Sequence, residues 1–196
     1  MRFLDKLRVT FPERIFSETT VNKPFAFVHD DGNISMIVEQ ENEHCFVLKN
    51  INQQDLTHIC IDGDFIKDKR EKYRGENKPY NKPDSIILSE KQILFLEMKM
   101  RVQADSQQRN IYKELLDGFD QLENFLEFLK ENLSDEVFHG FFKPQRTHFR
   151  IGLKATPSES RYKKNQEYKN RKAQFGGKTG WYDIDYSTSF NFTTAD

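Results

Sequence analysis

The chain has 196 residues, a formal net charge of −1, and 31% charged against 36% hydrophobic residues. Mean hydropathy is −0.80, which describes a strongly polar surface around an economical core, and the length suits one domain that needs no covalent staples. No apolar run approaches membrane-spanning length, the start Met1-Arg2-Phe3-Leu4-Asp5-Lys6 lacks a signal-peptide core, and a cytoplasmic protein is expected.

Taken in order, Met1–Val9 reads as a short helix with Phe3, Leu4 and Leu7 on one side, limited by Pro12. Phe25–His29 and Ile34–Gln40 read as strands about the turn cluster Asp30-Asp31-Gly32-Asn33, and His44–Lys49 follows a second turn at Glu41-Asn42-Glu43. Together 25–49 predict a small antiparallel meander. Thr57–Ile66 predicts a further strand, with Ile59, Ile61 and Phe65 on one face and Asp62-Gly63 interrupting it. Asp62 and Asp64 are extra carboxylates here. Cys45 and Cys60 sit in separate apolar runs with no metal-binding spacing, so buried free thiols are expected. Lys67–Lys82 is charged and aperiodic, an exposed loop leading into Pro83-Asp84.

The stretch 83–99 carries the chemistry. Two apolar runs, Ile86–Leu88 and Ile93–Leu96, flank the polar break Ser89–Gln92, as in a hairpin. If Leu88 pairs with Ile93, Ile86 faces Phe95 and Asp84 faces Glu97, with Cβ atoms roughly 4.5–5.5 Å apart. Lys99 shares the face of Glu97, because side chains two apart on a strand point the same way. Two carboxylates this close repel unless a cation lies between them or one is protonated. Mg²⁺ is the hard ion suited to oxygen ligands. Such an ion acidifies water and offsets phosphate charge, while a lysine orients the water, which is the chemistry of phosphodiester hydrolysis. A salt-bridged hairpin end is the plain alternative.

Beyond the hairpin, Ile111, Tyr112, Leu115, Leu116, Phe119, Leu122, Phe125, Leu126, Leu129 and Leu133 recur at helical spacing. They predict a helix over 106–132, bent at Gly118 and packed across the sheet. Gln108 and Gln121 border its apolar stripe. His148–Ala155 alternates as a core strand. Residues 141–180 hold 11 basic side chains and two acids, about +9 against a near-neutral whole. With Tyr162, Tyr168 and Phe175 interleaved, this segment suits a polyanion, and Arg161, Lys163, Lys164, Lys169, Arg171 and Lys172 are its candidate nucleic-acid contacts. Gly176-Gly177-Lys178-Thr179 resembles the end of a P-loop, but Lys172 stands where the first glycine is required. Trp181–Phe192 alternates and predicts an edge strand.

The combination of Pro83-Asp84 with Glu97-Met98-Lys99, inside the order strand, strand, strand, long helix, strand over about 57–156, resembles the PD-(D/E)XK nuclease superfamily. The resemblance implies an α/β, restriction-endonuclease-like mixed β-sheet with flanking helices, here one domain with a basic extension over about 157–196. It implies that Asp84 and Glu97 bind Mg²⁺ (or Mn²⁺), with the Met98 carbonyl as a further ligand, and that Lys99 assists the attacking water. Some branches use a helix glutamine in a QxxxY pattern, which Gln108 and Tyr112 match, and others place a Gln-Leu pair mid-helix, where Gln121 stands. Many members carry another acid on a helix before the first strand. No counterpart is evident here, and Asp62 is the nearest substitute. The implied function is metal-dependent cleavage of nucleic acid, DNA before RNA, in restriction, repair or phage defence, by a homodimer or with a partner protein. A catalytically inactive nucleic-acid-binding or protein-interaction module is the rival.

Overall fold

A computed structural model describes residues 3–12, 17–31, 34–42, 44–61, 82–99, 108–153 and 166–193, with side chains in the long helix from 112 onward. The elements in chain order are α1 (Phe3–Thr10), β1 (Ser17–Val21), β2 (Phe25–Asp30), β3 (Ser35–Val38), β4 (Cys45–Lys49), β5 (Leu56–Cys60), β6 (Ser85–Leu88), β7 (Ile93–Met98), α2 (Gln108–Asn132), α3 (Asp135–Phe141), β8 (Thr147–Gly152), α4 (Gln166–Thr179), β9 (Ile184–Ser187) and β10 (Ser189–Asn191). The protein is α/β with mixed sheets.

The larger sheet has six strands in the order β1-β5-β6-β7-β8-β9. β1, β5, β6 and β7 pair antiparallel in succession. α2 then carries the chain across so that β8 lies parallel to β7, and β9 lies parallel to β8. The central strands β6 and β7 of this sheet are buried on both faces, whereas β1 is exposed. One face, with Ile59, Ile86, Phe95, Phe149 and Ile151, packs against α2 residues Leu115, Phe119, Leu122 and Phe125. The other, with Ile87, Leu94 and Leu96, packs against Ala26, Val28, Phe46, Leu48 and Phe190 of the second sheet. The alternation read from sequence therefore divides two cores rather than core from solvent.

The second sheet corrects the expected meander. Its order is β10-β4-β2-β3, with β2 central and paired antiparallel to both β3 and β4. β3 is thus an edge strand instead of the middle one. Its place frees β3 to lie against β5, where Ser35 is buried beside His58. The chain's end contributes to both sheets: β9 extends the larger one and β10 joins β4 in parallel. Residues 166–193 are accordingly built into the fold.

α2 is one uninterrupted helix of 25 residues that runs through Gly118. A Cβ at Gly118 would stand 3.1 Å from three carbons of Ile151, so the glycine allows close packing of α2 on β8. α3 and α4 are additions to the sequence reading. Ser134 caps α3 by accepting from the Val137 N–H. The would-be P-loop is the last turn of α4, where Gly176 makes room for the Tyr182 ring at 2.3 Å from a built Cβ. Both cysteines are buried free thiols.

Candidate active site

β6 and β7 adopt the register that apposes the carboxylates. Leu88 pairs with Ile93, Ile86 with Phe95 and Ser85 with Leu96, which places Asp84 across from Glu97 one step further. The turn closes without glycine: Ser89 N–H donates to the Gln92 carbonyl at 2.8 Å. Its outward carbonyls are met by Arg146, whose Nε donates to Lys91 O at 2.9 Å and whose Nη2 donates to Glu90 O at 2.7 Å. A distant side chain thereby adds to the turn's own hydrogen bonds.

Asp84 is 8% exposed and Glu97 1%. One Asp84 oxygen, Oδ2, accepts the Met98 backbone N–H, a charge-assisted bond that pins the carboxylate to β7. The Asp84 carbonyl accepts from Ile61 N–H at 2.9 Å and from Ser35 Oγ at 2.8 Å. The strand bearing Asp84 is thus held from both flanks. Behind it runs a buried relay in which Ser85 Oγ donates to Ser35 Oγ at 2.7 Å and lies 3.0 Å from His58 Nε2. Because the Ser85 and Ser35 hydroxyl protons are committed along this chain, His58 donates from Nε2. Burial pushes the His58 pKa down to about 4.

Lys99 closes the site. Its backbone N–H extends the β7–β8 ladder to Gly152 O at 2.6 Å, and its Nζ sits 2.7 Å from Glu97 Oε1. Glu114 of α2, absent from the sequence-based candidates, brings Oε2 to 3.8 Å from the same ammonium. Burial alone would lower the Lys99 pKa, but the charge and hydrogen bond of Glu97, with Asp84 and Glu114 behind, raise it instead. The ammonium is therefore fully protonated at neutral pH.

No family model, curated protein or solved structure matches the chain. Among the described residues no group of three or more His, Cys, Asp or Glu side chains could hold a metal ion. The oxygen donors the register apposes are the two carboxylates of Asp84 and Glu97. Mg²⁺ is commonly held by one or two carboxylates together with water and phosphate oxygens.

The remaining candidates divide. Gln121 donates from Nε2 to Lys82 O at 3.4 Å, and its Oε1 is buried without a partner among the described residues. It steadies the approach to Pro83-Asp84 from α2. Gln108 opens α2, but its side chain lies outside the described residues, as do Asp62, Arg161, Lys163 and Lys164. Of the basic set on α4, Lys169 is exposed and Lys172 half-buried. Arg171 is spent internally: Nη2 reaches Asp120 Oδ1 at 2.6 Å and Glu123 Oε2 at 2.8 Å, with its guanidinium over the Phe119 ring. Lys178 also reaches Glu123, at 2.5 Å. Arg146 and Arg150 are likewise engaged within the chain, so the free positive charge near α4 is smaller than the sequence count.

A polar cleft of about 350 Å³, lined by Gln92, His148, Arg150, Asp183 and Asn191 among others, opens toward the starts of β8 and β9. The carboxylates stand at the other end of β7. In the cleft, Asp183 is hydrogen-bonded by His148 and ion-paired with Arg150 Nη1 at 3.0 Å. Burial would raise the Asp183 carboxyl, but these partners hold it at about 2. Its charges satisfy one another, and the network serves to tie β8 to β9.

Proposed function

We propose that this protein is a divalent-metal-dependent nuclease, acting on phosphodiester bonds of DNA in the cytoplasm, with a restriction-endonuclease-like core formed by β5, β6, β7, α2 and β8. The observation that carries the reading is the pairing register that apposes Asp84 and Glu97 with Lys99 at 2.7 Å from Glu97. The antiparallel β5-β6-β7 run, the α2 crossover and parallel β8 support it, because that order is what the motif resemblance implies.

In this reading Asp84 and Glu97 hold Mg²⁺, with the Met98 carbonyl as a further oxygen. The ion, when bound, acidifies a water and offsets charge on the phosphate. Lys99 orients the attacking water and places positive charge beside the scissile group. The Met98 N–H keeps Asp84 oriented, and the Ser35–Ser85–His58 relay keeps its strand in register. Exposed Lys169 and half-buried Lys172 are available to phosphates of the substrate backbone. Restriction, repair and phage defence all employ such chemistry.

The Glu97–Lys99 contact also favours a second reading, since an ion pair that satisfies itself suits a binding module without catalysis. One assay separates them. Labelled DNA is incubated with wild type, Asp84→Ala, Glu97→Ala and Lys99→Ala, each with Mg²⁺ and with chelator. The nuclease reading expects chelator-sensitive cleavage by wild type and a loss of about 10²-fold or more in each variant, with circular dichroism unchanged. Salt-sensitive DNA binding without cleavage selects the binding module. Equal cleavage by all four proteins would falsify the site assignment.

A further inference from the structure

The surroundings of Lys99 contain an anion that the motif does not use. Lys99 Nζ contacts Glu97 Oε1 at 2.7 Å, and Glu114 Oε2 stands 3.8 Å away on the α2 side. The Lys99 side chain is 16% exposed and that of Glu97 only 2%, whereas Glu114 is 37% exposed. A buried ammonium needs an anionic partner, because desolvation without one is costly. A cation held by Asp84 and Glu97 competes with Lys99 for the Glu97 carboxylate. The lysine stem is long and flexible. A displacement of roughly 1 Å toward Glu114 converts the 3.8 Å contact into a charge-assisted bond of about 2.8 Å.

We propose that Glu114 is the anion that receives Lys99 when a divalent cation takes the Glu97 carboxylate, so that cation binding passes the ammonium from Glu97 to Glu114. The proposal rests on the metal-dependent reading of the site. It gives Glu114 a positioning role that acts through Lys99. Asp84, Glu97 and Glu114 all act on the Lys99 ammonium. Glu114 is half-exposed, so its carboxylate is within reach of solvent as well as of Lys99.

The test is a double-mutant cycle read by calorimetric titration of Mn²⁺ into metal-free full-length protein, with no nucleic acid present. The proteins are wild type, Glu114→Gln, Lys99→Gln and the double variant, each checked for its fold by circular dichroism. Glu114→Gln is expected to weaken Mn²⁺ binding about three- to tenfold, since the displaced ammonium loses the anion that receives it. In the Lys99→Gln background the same substitution is expected to change nothing. Unchanged affinity in Glu114→Gln overturns the proposal and leaves the metal reading standing. An equal loss with and without Lys99 also overturns it, by making Glu114 a direct ligand or a field effect. No titratable Mn²⁺ in wild type overturns both. If Lys99→Gln does not fold, Lys99→Met replaces it with the same expectation.

Discussion

Asp84 and Glu97 meet because strand pairing has a period of two and a fixed register. That is why their apposition could be read from sequence: apolar matching of Ile86 with Phe95 and Leu88 with Ile93 leaves one alignment that buries both strands. Lys99 follows by the same rule. Glu114 could not be read, because its approach depends on the rotational phase of α2 relative to β7, which the intervening chain does not encode in a pattern. The His58 relay was hidden for a similar reason, since Ser35 and Ser85 lie 50 residues apart. His58 also makes a pH prediction. Its folded pKa of about 4 lies below the ordinary 6.5, so as pH falls through 6.5 the unfolded chain gains a proton that the folded chain refuses. Stability contributed by the neutral ring is present above about 6.5 and is lost toward pH 4, by roughly 3 kcal/mol over the window. Urea denaturation of wild type and His58→Gln across that range checks it. The variant should lose this component of the slope, and parallel pH profiles would contradict it.

Elements were legible in proportion to their internal pattern. α2 carries a long apolar stripe and the β6–β7 hairpin two clear runs, and both appear with nearly the expected bounds. α4 buries only Tyr168, Phe175 and Gly176, too few to show a period within a basic stretch. Its docking depends on Arg171 and Lys178 finding Glu123 on α2, a match between segments that charge counting along the chain assigned to an external polyanion. The order of β2, β3 and β4 shows another limit. Turn signals locate strands, but which face and edge they join is decided by burial against the other sheet. At Gly118, where glycine would weaken the helix, a built Cβ stands 3.1 Å from Ile151. Gly118→Leu is therefore expected to overpack the α2–β8 contact and destabilise the fold by about 1–3 kcal/mol. For a chain of this size that is a drop in Tm of roughly 2–4 °C per kcal/mol. A thermal melt at or above the wild-type Tm would contradict that packing role.

At the scale of the molecule, helices, the six-stranded sheet and the smaller sheet form successive layers, with a core on each side of the larger sheet. The site lies on the helix-covered face, at the ends of β6 and β7 where the apolar packing stops and α2 brings Gln121 and Glu114 alongside. The second sheet does not touch the chemistry with its own acids. It supports it from behind, through Ser35 on the Asp84 carbonyl. A rigid sheet flanked by two cores is a suitable base for holding two carboxylates at fixed separation, since close-packed interiors resist small displacements. In the proposed function the two carboxylates are held apart to take up a divalent cation. Anomalous diffraction from crystals soaked in Mn²⁺ checks this. A peak is expected between the Asp84 and Glu97 carboxylates, with Lys99 Nζ moved off Glu97. Carboxylates left without a peak, and Lys99 still bonded to Glu97 Oε1, would contradict it.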